Sequence, residues 1–321
     1  MSRTAAFACA CALLAAMGTA AASRRHPDLA DLIARRDIGL VAKQVTALPR
    51  QRPGIPDLYV IGVAGDGTQD VFRNETIYLD GLMRQRFHAR GTLSLVSHHE
   101  SVGAKPRPLA SYDNLYDAVM GTAKRMDRRE DILLLYLTMH GTPEHELALY
   151  FPPYIDDALT ADDLAYILDK SGIRNRVIVI SACYSGGFIK RLQGDNTLLM
   201  TAARGDRPSF GCDSDSTATY FGRAWLVEGL NRGTDFAGAF RYAEGRIAGW
   251  EKAEDFEPSY PQISEGKAIQ ATLADWRSRL AAGEPMPYPW PLTEPGEETG
   301  TASPREGVDP AMPQRGASSS R

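Results

Sequence analysis

Apolar residues recur along the chain in two rhythms. Short continuous runs have the length of strands buried on both faces: Leu58 to Val63, Thr92 to Ser97, Asp131 to Thr138 (DILLLYLT), Arg176 to Ala182 (RVIVISA) and the shorter Asn196 to Ala202. Stretches of helical period lie between and after them. These are Phe72 to Phe87, Tyr112 to Met126 with Ser111 or Asp113 as N-cap, a helix opened by Thr160-Ala161-Asp162-Asp163 and ending near Gly172, about Thr217 to Leu230, and Thr234 to Trp250. A last short strand is expected at Tyr260 to Ile263. Ahead of all this, residues 23–50 are Arg-rich, with Leu29, Leu32, Ile33, Leu40 and Val41 spaced along them. They predict one or two short amphipathic helices before Pro53 and Pro56. Continuous apolar strands alternating with helices predict an α/β domain, a mainly parallel sheet with helices on both faces. In such sheets chemistry gathers at the carboxyl ends of the strands.

Composition narrows the class. The 321 residues are 43% hydrophobic and 24% charged, ordinary for a globular protein, with a formal net charge of −4. No long Lys/Arg run offers a polyanion a surface, so no nucleic-acid partner is expected. Four Cys exclude a disulfide-dense scaffold. Two of them, Cys9 and Cys11, lie in an Ala/Leu-rich stretch from Ala5 to Met17. With Arg3 before it and Ala20-Ala21-Ala22 after it, that stretch reads as a secretory signal peptide over residues 1–22. An uncleaved membrane anchor is the alternative. The expectation is an exported protein, periplasmic or secreted, with no stable membrane span once the signal is removed. The division is then residues 1–22 as signal peptide, 23–56 as helical extension and linker, and 57–280 as the main domain. After residue 280 the chain turns Pro-, Gly-, Ser- and Glu-rich, and residues 281–321 are expected to be a disordered tail.

Two strand ends carry candidate chemistry. DILLLYLTMHG puts His140-Gly141 just past one strand, and RVIVISACYSGG puts Cys183 just past the next. A thiolate nucleophile needs a base close by and a setting that favours its charge. His140 supplies the base, and a helix starting after Ser185-Gly186-Gly187 would favour the charge. The backbone N–H groups of Gly141 and Cys183 could form an oxyanion hole.

An apolar strand ending His-Gly, then about forty residues later one ending Ala-Cys, resembles the caspase-like superfamily of cysteine peptidases, in which caspases have a spacing of ~50. Further pieces resemble the legumain family, peptidase family C13: Val63-Ala64-Gly65, Phe72-Arg73, Thr201-Ala202-Ala203, Ser209-Phe210-Gly211-Cys212, and Thr219-Tyr220-Phe221-Gly222-Arg223-Ala224-Trp225. The resemblance covers roughly residues 57–265 and is closest in arrangement to bacterial exported members. It implies a six-stranded caspase-like sheet and endopeptidase chemistry on a peptide or protein substrate. Cys183 would be the nucleophile, His140 the general acid or base, and Gly141 part of the oxyanion hole, with no metal or organic cofactor. It also implies that Arg73, Ser181, Ser209, Phe210 and Arg223 line the substrate cleft. Departures from the pattern bear on specificity. Ser181 and Arg223 stand where asparagine-specific legumains have Glu and Asp, Val71 where they have a His-supporting Asn, and Asn74 where they have His. Asparaginyl specificity therefore does not carry over. Arg73 together with Arg223 would favour an acidic residue before the scissile bond, and Asp66 or Asp70 could replace the missing support for His140.

Other classes compete. A serine hydrolase built on Ser185 needs its His later in the chain, whereas all six His precede Ser185. A metal site could draw on His98-His99-Glu100, or on His140 with His145-Glu146, but neither has zincin spacing. A transpeptidase or transamidase would use the same dyad. A catalytically silent binding scaffold would keep Cys183 buried and inert. Cys212, close behind a strand end, is expected to be packed rather than reactive.

Overall fold

The computed structural model describes residues 28–213 and 215–292. The proposed signal peptide, and the tail beyond residue 292, lie outside the described residues. The elements run in chain order as α1 Leu29–Ala47, β1 Leu58–Ala64, α2 Asp70–Gln85, β2 Gly91–Val96, α3 His99–Val102, α4 Tyr112–Ala123, β3 Ile132–Thr138, β4 Glu146–Phe151, β5 Ile155–Thr160 and α5 Ala161–Ser171. They continue with β6 Asn175–Ser181, α6 Ile189–Leu192, β7 Thr197–Thr201, a π-helical stretch Gly222–Gly229 running into α7 Leu230–Arg232, α8 Phe236–Ala253, β8 Gln262–Glu265 and α9 Lys267–Ser278.

The main sheet has six strands in the order β2-β1-β3-β6-β7-β8, all parallel except β8, which runs antiparallel to β7. Its side chains divide between two cores by the period of two that a strand imposes. Tyr59, Ile61, Val63, Leu133, Leu135, Leu137, Ile178 and Ile180 face a core shared with α1, α4 and α5. Leu58, Val60, Ile132, Leu134, Tyr136, Val177 and Val179 face the other, shared with α2, the π-helical stretch, α8 and α9. Burial on both faces is why these strands are apolar without alternation.

Local signals set the helix ends. Thr160 and Asp163 form a reciprocal capping box on α5, and Gly172 closes that helix at φ 68°, where a Cβ would be strained. Ser111 caps α4 by accepting the Asn114 N–H.

Three features differ from the sequence expectations. The region before Pro53 is one 19-residue helix packed onto the main domain: Val41 and Leu48 are in the core, and the buried Asp37 carboxylate accepts from the Leu109 N–H and the Asn114 amide. A β4–β5 hairpin forms between β3 and α5. It folds over the carboxyl edge of the sheet, with Tyr150 N–H donating to Gly65 O, Gly67 N–H to Tyr150 O and Ala148 N–H to His140 O. Finally, the first part of the expected disordered tail is ordered. Met286 exchanges backbone hydrogen bonds with the Asn231 amide, and Tyr288 packs edge-on against Tyr78. The Tyr and Trp rings of this Pro-rich stretch are what give it a surface to bury.

Among the described residues no helix is long and apolar enough to cross a membrane.

Candidate active site

The chain leaves β1 towards β2 and then returns to the opposite side of β1 for β3. That reversal opens a crevice beyond the carboxyl ends of β1 and β3, where open α/β sheets take their ligands. The β1–α2 loop and the ends of β3 and β6 all meet there.

His140 and Cys183 reach this crevice by register. Thr138 is paired with Ser181 in the parallel β3–β6 ladder, and His140 and Cys183 each stand two positions further on. Met139 N–H continues the ladder to Ser181 O at 3.3 Å. The two chains then touch: a Cβ on Gly141 would collide with the Cys183 carbonyl oxygen, so only Gly lets them come this close. The His140 carbonyl accepts from Ala148 of β4. In a trans peptide the N–H opposes the carbonyl, so the Gly141 N–H points away from the hairpin.

His140 lies edge-on to Phe72, with ring centroids 5.1 Å apart, and its Nε2 is 2.9 Å from Gln69 Oε1. An amide oxygen only accepts, so Nε2 carries the proton and Nδ1 is the basic nitrogen. Burial lowers the His140 pKa from its ordinary value, and the Asp66 charge opposes that shift. The partner is therefore neither of the acids expected. Asp66 accepts from the Thr68 N–H and hydroxyl, and Asp70 is 2.8 Å from His98 Nε2. Gln69 was not singled out in the sequence. Its one signal is position, a polar amide at the N-cap of the helix that comes after β1.

Cys183 is part-exposed, and the next residue, Tyr184, turns sharply at φ 55°. The chain then makes one 3-10 turn, Ser185–Phe188, and the single turn of α6. The helix expected behind the thiol is only these two short turns, because the chain must dive back to begin β7. A backbone N–H comes instead from Ser209, which donates to Sγ at 3.2 Å, while Ser209 O lies at 3.5 Å and its hydroxyl at 3.8 Å. Ser209, expected to hold substrate, thus holds the thiol itself. Ser185 is fully buried, with its hydroxyl taken by the Ala203 N–H at 3.3 Å. Neither Cys183 nor Cys212 is in a disulfide. Burial pushes the Cys212 pKa up to about 12, while its side chain packs against a small core of Ala64, Val71, Phe72 and Val96.

The other expected cleft residues separate. Arg73 lies one helical turn past Gln69 on α2, which places both on one face. Its guanidinium donates to Asn74 Oδ1 at 2.8 Å and to Glu100 Oε2 at 2.6 Å, and lies 5.8 Å from the Trp290 ring centre. The hydrogen bond from Arg73 lowers the Glu100 pKa to about 2. Ser181 is buried, with its hydroxyl 3.0 Å from that of Thr219. Phe210 stacks on Phe256 at 4.4 Å. Arg223 is turned into the helical layer, paired with Glu228 at 3.0 Å and lying 4.6 Å from the Trp250 ring centre. The Arg73 and Arg223 guanidinium groups, which together would favour an acidic residue before the scissile bond, each lie beside their own carboxylate.

An acid does enter this layer, from α2 rather than from β6. Glu75 is fully buried and accepts from Tyr136 OH at 2.7 Å, Thr138 OH at 2.6 Å and Thr219 N–H at 2.7 Å. Burial raises its pKa against those three hydrogen bonds.

Among the described residues Asp70, His98 and His99 are grouped closely enough to hold a metal ion. The hydrogen bonds oppose it. His98 Nδ1 accepts from Glu100 N–H at 3.2 Å, which leaves the proton on Nε2 for Asp70. A metal-bound imidazole needs the reverse, a second nitrogen that donates. His145, from the other sequence cluster, lies against Gly187, with Nε2 2.9 Å from Gly205 O.

A sequence model of the peptidase C13 family matches residues 113–272, a span that includes both His140 and Cys183. No curated protein matches the chain.

Proposed function

We propose, from the premise that this chain belongs to the peptidase C13 family, that it is a cysteine endopeptidase in which Cys183 is the nucleophile and His140 the general acid and base. The observation that carries this reading is the β3–β6 register, with His140 and Cys183 each two residues beyond the paired Thr138 and Ser181.

His140 Nδ1 takes the Cys183 proton, and Sγ attacks the carbonyl carbon of the scissile peptide. Negative charge on the sulfur is supported by the Ser209 N–H. The Gly141 and Cys183 N–H groups receive the oxyanion of the tetrahedral intermediate. As the C–N bond breaks, the proton on His140 passes to the leaving amine, and a thioester remains on Cys183. Water then attacks the thioester, giving its proton to Nδ1, and the acid product leaves with the thiol restored. Gln69 keeps Nε2–H engaged throughout and so holds the ring with Nδ1 forward.

The test is digestion of a mixed peptide library by the protein and by Cys183→Ala and His140→Ala, with products read by mass spectrometry. Both substitutions are expected to remove every cut the unchanged protein makes. A cut that survives Cys183→Ala overturns the assignment. Joined rather than hydrolysed products would keep the dyad and replace water by an amine as acceptor.

A further inference from the structure

We propose that the stretch Gly283–Leu292 is a built wall of the substrate cleft, and that Trp290 is a positioning residue that fixes Arg73 for substrate selection. This rests on the peptidase reading above and adds a specificity element outside the family-matched span.

The stretch is fastened at both ends and in the middle. At its start Gly283 N–H donates to Arg86 O at 2.9 Å, and the Arg86 guanidinium returns a bond to Gly283 O. In the middle Met286 O accepts from Tyr78 OH at 2.6 Å and from the Asn231 amide at 2.9 Å. At its far end it joins two separate pieces of the cleft. Tyr288 OH donates to Thr217 O at 2.7 Å, and the Thr217 hydroxyl donates to Pro291 O. Thr217 O also receives the Asn74 amide at 3.3 Å, so the segment after Cys212 is tied to the first turns of α2 through the same carbonyl. The Trp290 ring stands 5.1 Å from Tyr288 and lies under the Arg73 guanidinium.

Arg73 shares the α2 face of Gln69, the residue on His140. Its position is set by Glu100 and Asn74 along two hydrogen bonds and by the Trp290 face on a third side. The Arg73 side chain keeps 13% of its surface exposed, so part of it remains open to a bound peptide. A rigid aromatic face removes the freedom a long side chain otherwise has, and the gain shows in binding rather than in bond-breaking.

The experiment uses alkylation of Cys183, which needs a thiol and a cleft but no turnover. Rates are measured with iodoacetamide and with a pool of peptidyl acyloxymethyl ketones varied in the residue beside the reactive group. Unchanged protein is compared with Trp290→Ala, with Trp290→Leu, which keeps apolar bulk, and with Trp290→Phe, which keeps a ring. Loss of the ring is expected to lower the peptidyl-over-iodoacetamide rate ratio about three- to tenfold, the size of one partly desolvated cation–π contact. It should also flatten the preference within the pool, while Trp290→Phe restores most of both and the iodoacetamide rate stays put. An unchanged ratio in Trp290→Leu overturns the proposal. So does an equal fall in both rates, because Trp290 would then only support the fold around the dyad. If Cys183 of the unchanged protein reacts with neither reagent, the peptidase reading fails first and this inference falls with it.

Discussion

β1, β3 and β6 present polar groups at both of their ends, and the two ends use them differently. At the amino end stand Asp57, Asp131 and Asn175. Asp57 accepts three bonds from Arg52, one of them from its backbone N–H. Asp131 accepts the backbone N–H of Asp57 and of Asp127 at 2.8 and 2.7 Å. The Asn175 amide donates to the carbonyls of Arg129, Glu130 and Asp131. Each group is met by fixed partners from the surrounding loops. At the carboxyl end stand Gln69, His140 and Cys183, where His140 engages one ring nitrogen and offers the other. The strands are the same, but Asp57, Asp131 and Asn175 are buried whereas Gln69, His140 and Cys183 are partly exposed, so what separates scaffold from chemistry is whether access and hydrogen-bonding capacity remain for a substrate.

The strongest effect should separate the two ends completely. Cys183→Ala should reduce peptide cleavage to background while leaving the melting temperature within a few degrees. Asp131→Ala should do the opposite. It orphans two backbone donors, at ~1–3 kcal/mol each, so the melting temperature should fall by roughly 5–15 °C. At a temperature where the variant is folded, its kcat/KM should be unchanged; a loss there would end the contrast.

Glu75 tests the contrast more finely, because this residue sits at the carboxyl end but is saturated like the amino end. Glu75→Ala should cost about 3 kcal/mol or more in denaturant unfolding, since three buried donors lose their acceptor. Glu75→Gln, which restores one acceptor oxygen, should cost less. Similar unfolding midpoints for the two would mean that the hydrogen bonds are not what Glu75 contributes.

Smaller effects concern His140 and the pH dependence at each end. Gln69→Ala should lower kcat about tenfold, the worth of one neutral hydrogen bond that orients a ring, with little change in KM or stability. Because burial lowers the His140 pKa, the acid limb of kcat/KM should fall below the ordinary histidine value of 6.5. Asp66→Asn removes the charge that opposes this shift, so it should move the limb further towards acid. At the amino end the sign reverses. Burial raises the Asp131 pKa from 3.8 to about 6, so the native state binds the extra proton, and stability should decline as pH rises across that window. Asp131→Asn should flatten this slope without touching the activity profile.

Much of this was legible in the chain. The strand run DILLLYLT and the run RVIVISA place β3 and β6 to within a residue, because a strand buried on both faces must be apolar throughout. The residues just past their ends, His140 and Cys183, then come to one edge of the sheet. The hairpin at 146–160 was harder to see, since its pairing crosses a Pro152-Pro153 turn and its second strand carries the exposed acids Asp156 and Asp157. The Pro-rich stretch after α9 misled for a similar reason. Its composition reads as unfolded, but Met286, Tyr288 and Trp290 find cover on α2. Arg223 shows the converse, a motif position legible in sequence whose side chain points into the helical layer instead of the cleft.

The order of residues alone defines the sheet, its mainly parallel character and the residues at the two strand ends. Periodicity and chain order are local properties, and a parallel register converts them directly into proximity. Packing chose the company those residues keep: Gln69 on His140, Ser209 on Cys183, Glu75 beneath Thr219, and Trp290 against Arg73. Each of these contacts joins segments distant in the chain and depends on where a side chain points once helices and loops have come together. Spacing along a sequence carries no information about that direction until the surrounding elements have fixed it.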